Sequence, residues 1–160
     1  MNEPPSRKRL YEVKLDEATL PRVAPDVDHE RAVAIFDLVE ENHFGAIGRD
    51  DGPYSLTLAQ HEGKLSFTVR TEGGETVAEF VVSMTPFRPL LKDYFLVCET
   101  YYNAIRTASP RQIEAIDRER TALHNEGAAL MEQRLLDKVD VDTRTARRLF
   151  TLISALHWKS

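Results

Sequence analysis

The middle of the chain alternates apolar and polar residues in three consecutive segments. Residues 54–59, 65–69 and 78–84 each place an apolar side chain at every second position, which is the period of a strand with one buried face. Residues 61–64 and 72–75 connect the segments through short sequences that contain glycine, as hairpin turns commonly do. The pattern therefore predicts an antiparallel meander with one apolar face for helices to cover.

A strand and a helix are predicted before the meander. Residues 10–15 (LYEVKL) alternate in polarity and predict a short N-terminal strand. Its apolar face comprises Tyr11, Val13 and Leu15. Asp26 or Asp28 can cap a helix that runs to about Asn42. The apolar stripe of this helix comprises Ala32, Ile35, Phe36, Val39 and His43.

A helical hairpin is predicted after the meander. Residues 94–98 (YFLVC) carry no charge and have apolar neighbours on both sides, which favours a central buried helix from Pro86 or Pro89 to about Arg106. The sequence Ser-Pro-Arg-Gln at residues 109–112 begins the second helix. The serine can cap it, the proline suits the first helical position, and the glutamine can complete a capping box.

A last helix completes the predicted fold. Asp142 is its cap. Its buried stripe comprises Ala146, Leu149, Phe150, Ile153 and Leu156. The order of elements predicts an α+β fold in which a three-stranded antiparallel meander, with the N-terminal strand, packs on about four helices. We expect residues 1–8 to form a disordered tail and residues 9–160 to form a single domain.

Composition narrows the class of protein. No apolar run approaches the roughly 20 residues that span a bilayer, and the basic first nine residues lead into no apolar segment, so we expect a cytoplasmic protein without membrane contact. The net charge of −5 argues against general nucleic-acid binding. The single cysteine, Cys98, lies in the most apolar segment and is interpreted as a small buried hydrophobe rather than a nucleophile.

One polar cluster is predicted at the open end of the hairpin. In an antiparallel hairpin, positions equally distant from the turn face each other, which places His124 near Lys92. The candidate binding residues are Arg88, Lys92, Asp93, His124, Asn125 and Glu126. Such a cluster could be a structural network of salt bridges, could bind an anionic ligand or a partner, or could perform acid–base chemistry.

The sequence contains no motif for metal binding, phosphate binding or nucleophilic catalysis. The five histidines have no metal-ligand spacing, and the glycines of residues 44–53 follow a helix and lack the spacing of a phosphate-binding loop, so we interpret them as turn residues. We therefore predict no catalytic residue, no metal and no cofactor. Arg144, Arg147 and Arg148 share one side of the last helix; we expect an acidic neighbour or partner there rather than nucleic acid.

Several long segments resemble a known family. They are HERAVAIFDLVEENHF (residues 29–44), GPYSLTL (52–58), TPFRPLLKDYFLVCETYYNAIRTASPRQIEAIDRER (85–120), LHNEG (123–127) and TARRLFTLISALHW (145–158). Together they are similar to the uncharacterised protein family 0262 of alphaproteobacteria, over nearly the whole chain. The resemblance implies a small cytoplasmic bacterial protein, with no activity, cofactor or catalytic residue to carry over.

Two hypotheses of function remain open from the sequence. The first is a non-enzymatic binding or regulatory protein that acts through macromolecular interaction, with a protein partner or its own copy. The alternative is a small enzyme or anionic-ligand-binding protein that uses the polar cluster around His124, Lys92 and Arg88.

Overall fold

Six strands and four helices are present in residues 6–158, which the computed structural model describes. The strands are β1 (Leu10–Leu15), β2 (Phe44–Ala46), β3 (Tyr54–His61), β4 (Lys64–Thr71), β5 (Thr76–Ser83) and β6 (Val139–Val141). The helices are α1 (Pro25–Glu40), α2 (Arg88–Thr107), α3 (Pro110–Leu135) and α4 (Thr143–His157), with short 3-10 turns at Glu17–Thr19 and Thr85–Phe87. The predicted α+β class is confirmed.

Strands β3, β4 and β5 form the predicted antiparallel meander. The predicted N-terminal strand β1 joins it as the parallel partner of β3 and completes the sheet order β1-β3-β4-β5. The register of β1 shifts between Leu10 and Glu12, so Leu10 and Val13 are buried while Tyr11 is not. The predicted alternation of apolar residues in β1 is therefore wrong at Tyr11, because the irregularity interrupts the period of two.

A second, two-stranded sheet lies where the sequence predicts a loop. Strand β2 pairs antiparallel with β6, and Phe44 is fully buried. The Phe44 amide donates to the carbonyl of Lys8 at 3.0 Å, and Lys8 Nζ lies 3.3 Å from a carboxylate oxygen of Asp140. These contacts hold Lys8, which the sequence assigns to a disordered tail, against the domain. Residues 1–5 of that predicted tail lie outside the described residues.

The buried side of α1 differs from the predicted stripe. Helix α1 begins with Pro25 after the cap position Ala24, so neither Asp26 nor Asp28 caps it. The buried residues of α1 are Val27, Arg31, Ala34 and Leu38, at spacings of one helical turn, whereas Phe36 is mostly exposed. The predicted apolar stripe of α1 was wrong because a charged residue, Arg31, occupies the middle of the stripe that is buried.

Arg31 is buried because it caps the C-terminal end of α4. Its Nη2 donates to the Leu156 carbonyl at 3.1 Å and its Nε to the Ala155 carbonyl at 3.4 Å. Burial lowers the pKa of the guanidinium, and the nearby carboxylates of Asp28 and Glu17 oppose that change. A positive charge at a helix C-terminus also interacts favourably with the helix dipole. Arg31 therefore joins α1 to α4.

The α2–α3 hairpin is present as predicted. The Gln112 amide donates to Ser109 Oγ at 3.3 Å, and the Ser109 amide donates to Gln112 Oε1 at 3.1 Å, which is the complete capping box. The apolar run of α2 is less enclosed than its pattern indicates, since Leu96 is 54% exposed. The helix with the most buried stripe is α4, which packs against both α1 and α3. The predicted cap Asp142 and the whole predicted stripe of α4 are confirmed.

Helices α3 and α4 pack tightly against each other at Gly127. A Cβ atom built on Gly127 would lie 2.1 Å from Cζ of Phe150, far below van der Waals contact. The Phe150 ring is itself held by stacking with Phe87 and by edge contact with Tyr94. Glycine at this position is therefore a requirement of helix packing.

We predict that Gly127→Ala lowers the free energy of unfolding by roughly 1–3 kcal/mol through overpacking, although alanine favours an isolated helix by about 1 kcal/mol. Urea denaturation measures the change. In a Phe150→Leu background the ring is removed, so the same substitution should become neutral or stabilising. A Gly127→Ala protein as stable as the wild type would contradict the close approach.

Candidate binding groove between α1 and α2

A groove of about 450 Å³ lies between α1 and α2, with α4 as its floor. We call it the α1–α2 groove. It is lined by Asp26, Val27, Glu30 and Ala34 of α1, by Tyr94, Phe95, Cys98 and Tyr102 of α2, and by Thr151, Ser154, Ala155 and Trp158 at the end of α4. Its volume falls within the usual range of ligand sites.

The α2 wall of the groove is an apolar stripe. Its members are Leu91, Phe95, Cys98, Tyr102 and Ile105, at alternating spacings of four and three residues. This spacing puts them on one side of the helix. Leu91 and Cys98 are buried, but Tyr102 is 57% exposed and Ile105 is half exposed. The stripe therefore continues past the buried part of the groove as uncovered apolar surface.

Aromatic rings close one end of the groove. The rings of Phe95 and Trp158 meet edge to face with centroids 4.7 Å apart. Trp158 follows the last residue of α4, so the end of this helix supplies one side of the groove. Aromatic side chains bury large areas and dominate the energetics of many interfaces, so this end of the groove is suited to an apolar group.

The α1 wall of the groove has an acidic rim. Asp26 and Glu30 are exposed and lie one helical turn apart beside the buried Val27 and Ala34. None of the lining residues within the described residues 6–158 is basic, and the nearby Arg31 is directed to the carbonyls of α4. The groove thus combines an apolar interior with negative charge at its edge.

The reactive side chains of the groove are not activated. Cys98 is 6% exposed, which confirms its interpretation as a buried hydrophobe. Burial raises the pKa of the Cys98 thiol, and it also raises the pKa of its hydrogen-bonded neighbour Tyr94. Both groups therefore stay protonated near neutral pH, where a thiol nucleophile would need to ionise.

His124 lies behind the groove, between α2 and α4. Its ring is 5.7 Å from that of Tyr94 and 5.3 Å from that of Phe150, centroid to centroid. Its Nε2 lies 2.8 Å from Thr151 Oγ1, whose own proton is donated to the Arg147 carbonyl at 3.1 Å. This network assigns the histidine proton to Nε2. The Nδ1 atom is buried without a partner among the described residues.

The charge state of His124 follows from this environment. Burial, together with the positive charges of Arg147 and Arg120, lowers the pKa of His124 to about 4. Protonation would add a second N–H at Nδ1, where no acceptor lies. His157 is arranged similarly: Nδ1 lies 2.8 Å from the Ile153 carbonyl, and burial lowers its pKa. Both histidines are neutral at neutral pH.

The six predicted site residues have contacts in different parts of the structure. His124 packs beside Tyr94, which lies two positions after Lys92 on α2. Arg88 begins α2 beside the turn that contains Gly63, and Asn125 accepts from Arg147. All of the six except His124 are exposed. No ion pair joins the six residues within the described part of the chain, and a binding role for them stays a prediction.

The three arginines of α4 contact side chains of the same chain. Arg144 Nη1 lies 2.9 Å from the Glu41 carboxylate, and Arg148 donates to the Glu41 carbonyl. Arg147 donates to Asn125. Arg144 and Arg148 therefore have the acidic neighbour that the sequence analysis expects, and they join the end of α1 to the start of α4.

Residues 6–158 show neither a metal site nor a membrane-spanning helix. In that range no group of three or more His, Cys, Asp or Glu side chains is placed to hold a metal ion. No described helix is both long enough and apolar enough to cross a bilayer.

Sequence reasoning missed the groove. From the sequence, Asp26 is considered only as a helix cap, and neither Asp26 nor Tyr102 is connected with binding. The available signal was the stripe on α2, whose spacing from Leu91 to Ile105 marks a second apolar side of the helix. What covers that side depends on where α1 and α4 lie, and no local pattern encodes their positions.

The protein is a small α+β domain with an open groove lined by aromatic side chains. The profile of the uncharacterised protein family UPF0262 matches residues 7–159, and the chain belongs to this family, as its resemblance indicates.

Its relatives match over nearly their full length. A UPF0262 protein of Hyphomonas neptunium is 58% identical over 149 residues, covering 93% of this chain and 92% of the relative. One of Methylobacterium radiotolerans is 58% identical over 151 residues, with 94% of each chain covered. One of Rhizobium leguminosarum is 54% identical over 151 residues, covering 94% and 96%. No solved structure matches the chain.

We predict that His124 makes the fold sensitive to mild acid. Its pKa is about 4 in the folded protein against 6.5 for a free histidine, so between these values the unfolded state binds a proton that the folded state does not. The free energy of unfolding should therefore fall by roughly 2–3 kcal/mol as the pH drops from about 6.5 to about 4. Urea denaturation across this range measures the fall.

The matched variants are His124→Leu, which should remove most of that fall, and His29→Gln, which alters an exposed histidine and should leave it unchanged. An equal fall in wild type and His124→Leu would show that other groups cause the acid sensitivity.

Proposed function

We propose that this protein is a non-enzymatic binding protein that holds a basic, amphipathic helix of a partner protein in the α1–α2 groove. The observation that carries the proposal is the apolar stripe of α2 facing an acidic rim on α1. We also propose a cytoplasmic location, which the single, unpaired Cys98 fits because disulfides are rare in that compartment.

The shape of the groove favours a helix as its occupant. Two helices form its walls and a third forms its floor, so an added helix would pack against all three. The α2 stripe from Phe95 to Ile105 is about 15 Å long at 1.5 Å per residue, which suits a partner with apolar residues at positions i, i+3 or i+4, and i+7. The exposed Tyr102 and Ile105 would be covered by such a partner.

The rim of the groove favours a basic partner. Asp26 and Glu30 lie one turn apart, so lysine or arginine residues at matching spacing could pair with both carboxylates. Exposed pairs of this kind add little affinity, but they select partners by charge and speed association. The same carboxylates disfavour an anionic ligand in the groove.

The alternative of a small enzyme receives less support. His124 is neutral and its Nε2 is engaged by Thr151, while burial raises the pKa values of Cys98 and Tyr94. An acid–base or nucleophilic residue instead needs a pKa matched to its task and access to substrate. These features support a binding role over a catalytic one.

The apolar part of the proposal is tested by two matched variants of α2. Tyr102 lines the groove and is 57% exposed, whereas Leu96 is 54% exposed on another side of the same helix.

A display selection of random 16-residue peptides against the wild-type protein should enrich basic, amphipathic sequences. Their binding should change the fluorescence of Trp158, the single tryptophan of the chain, which lines the groove.

We predict that Tyr102→Ala weakens the selected peptides by at least about tenfold, as for an aromatic hot spot, and that Leu96→Ala leaves their affinity unchanged. Fluorescence titration measures both. The proposal is overturned if the two variants bind alike, or if the selected peptides have no amphipathic helical pattern.

We predict that the double variant Asp26→Asn, Glu30→Gln weakens the same peptides by roughly three- to tenfold at low salt and reduces the salt dependence of binding, because the paired charges are lost. Glu40→Gln, which removes an exposed acid of α1 that does not line the groove, is the control. If the wild type, the double variant and Glu40→Gln show the same salt dependence of peptide binding, the acidic rim does not contribute to binding. Only the apolar part of the proposal would then stand.

A further inference from the structure

Strand β5 is an open edge of the four-stranded sheet. It pairs with β4 on one side. The opposite edge, β1, is covered near Leu10, where the side chain of Asn42 binds both the amide at 2.7 Å and the carbonyl at 3.1 Å. No comparable side chain covers the backbone of β5 within residues 6–158. This edge lies apart from the α1–α2 groove, so it is independent of the function proposed above.

The register of the meander shows which backbone groups of β5 face outward. The Met84 amide donates to the Gly63 carbonyl at 3.0 Å, which continues the β4–β5 ladder by one pair. In an antiparallel ladder, alternate residues direct both backbone groups to the neighbouring strand. The pairs therefore continue through Val82 and Phe80, and the backbone groups of Glu79, Val81 and Ser83 point to the open edge.

Residues 78–83 of β5 carry little protection against pairing with another chain. Natural edge strands usually carry lysine, proline or a bulge that blocks such pairing. The eight residues TVAEFVVS contain no lysine or proline, and Glu79 is the single charge. The pairing with β4 is irregular at Val77, between Thr76 and Ala78, and is regular from Ala78 to Ser83. Val81, at the middle of the outward-facing residues, is 53% exposed. A strand of this composition needs a covering partner to avoid unspecific association.

A cleft of about 450 Å³ runs beside the edge, between the end of β5 and the chain that follows α3. A strand added to β5 would lie along this cleft. Leu136, which is 73% exposed, lines it. The charged lining residues are Arg134, Asp137 and Lys138. The cleft therefore offers apolar area and charges of both signs.

We propose that β5 pairs antiparallel with β5 of a second copy, which joins two sheets into one of eight strands. Outward-facing residues must meet outward-facing residues for the hydrogen bonds to form. A two-fold axis at Val81 satisfies this condition, because Glu79 then faces Ser83 of the other copy. An axis at Glu79 would oppose two carboxylates, and an axis at Ser83 would leave most of the strand unpaired.

The same axis makes the two surfaces self-complementary. An isologous two-fold interface uses the same patch on both copies. With the axis perpendicular to the sheet, the helices of both copies lie on the same side, so both clefts and both Leu136 side chains flank the axis. Asp137 of one copy can then pair with Arg134 or Lys138 of the other. About six backbone hydrogen bonds form across the three facing pairs.

The oligomeric state of the full chain, measured by sedimentation equilibrium, tests the proposal. We expect the wild type to form a dimer, and Val81→Pro to weaken it by at least about tenfold. Proline is tolerated at an edge position whose N–H faces outward, so the β4–β5 ladder should survive, which circular dichroism checks. Val81→Lys keeps the backbone unchanged and should weaken the dimer similarly. Leu96→Lys, on exposed α2 surface, is the control.

Cross-linking tests the register directly. Facing residues in a hydrogen-bonded antiparallel pair have Cα atoms about 5.5 Å apart, within the range of a disulfide. In a Cys98→Ala background, Val81→Cys should therefore cross-link two copies rapidly under mild oxidation, and Glu79→Cys should do so much more slowly. Any of three results would overturn the proposal. The first is a wild type that stays monomeric at 100 times the starting concentration of the sedimentation experiment. The others are a dimer that Val81→Lys leaves intact and equal cross-linking at both positions.

Discussion

The side chains of α4 fill the space between α1 and α3 and share one continuous core with the sheet, and the other elements take their positions from this packing. Leu149, Phe150, Leu152 and Ile153 are fully buried, and burial of each contributes roughly 1.5–3 kcal/mol. Both ends of α4 are also fixed: Asp142 caps its start, and Arg31 binds the carbonyls at its end. Because α1 and α2 both flank this helix, the groove between them has α4 as its floor.

Polar groups are buried in this core where packing supplies a partner, and their arrangement limits the chemistry of the protein. Arg31 keeps its charge because helix carbonyls accept its hydrogen bonds. His124 has an acceptor for one nitrogen only, so the neutral ring is the form compatible with folding. His124, which sequence reasoning singles out for acid–base work, thus packs against the rings of Tyr94 and Phe150. The candidate sites for binding are therefore the surfaces that the packed elements leave exposed.

Two such surfaces are separate and differ in physical character. The α1–α2 groove presents side chains, apolar on α2 and acidic on α1, and is suited to a helix. The edge of β5 presents backbone hydrogen-bonding groups and is suited to an extended strand. A second copy bound at β5 would leave the groove accessible, so the two proposed interactions are compatible in one assembly.

The sequence by itself determined the elements whose signals are local. The alternation in β3, β4 and β5, the capping box at Ser109 and the stripe of α4 depend on residues within a few positions of one another, and all are confirmed. The same is true of Cys98, whose burial follows from its apolar neighbours.

The tertiary structure alone decided what depends on distant contacts. Arg31 binds carbonyls 124 and 125 positions away, β2 pairs with β6 across most of the chain, and His124 meets Thr151 of α4. A short strand or a single charged residue has no periodicity that reveals such a partner. The groove and the open edge of β5 belong to this second group, because a surface is exposed or covered only once the elements have packed.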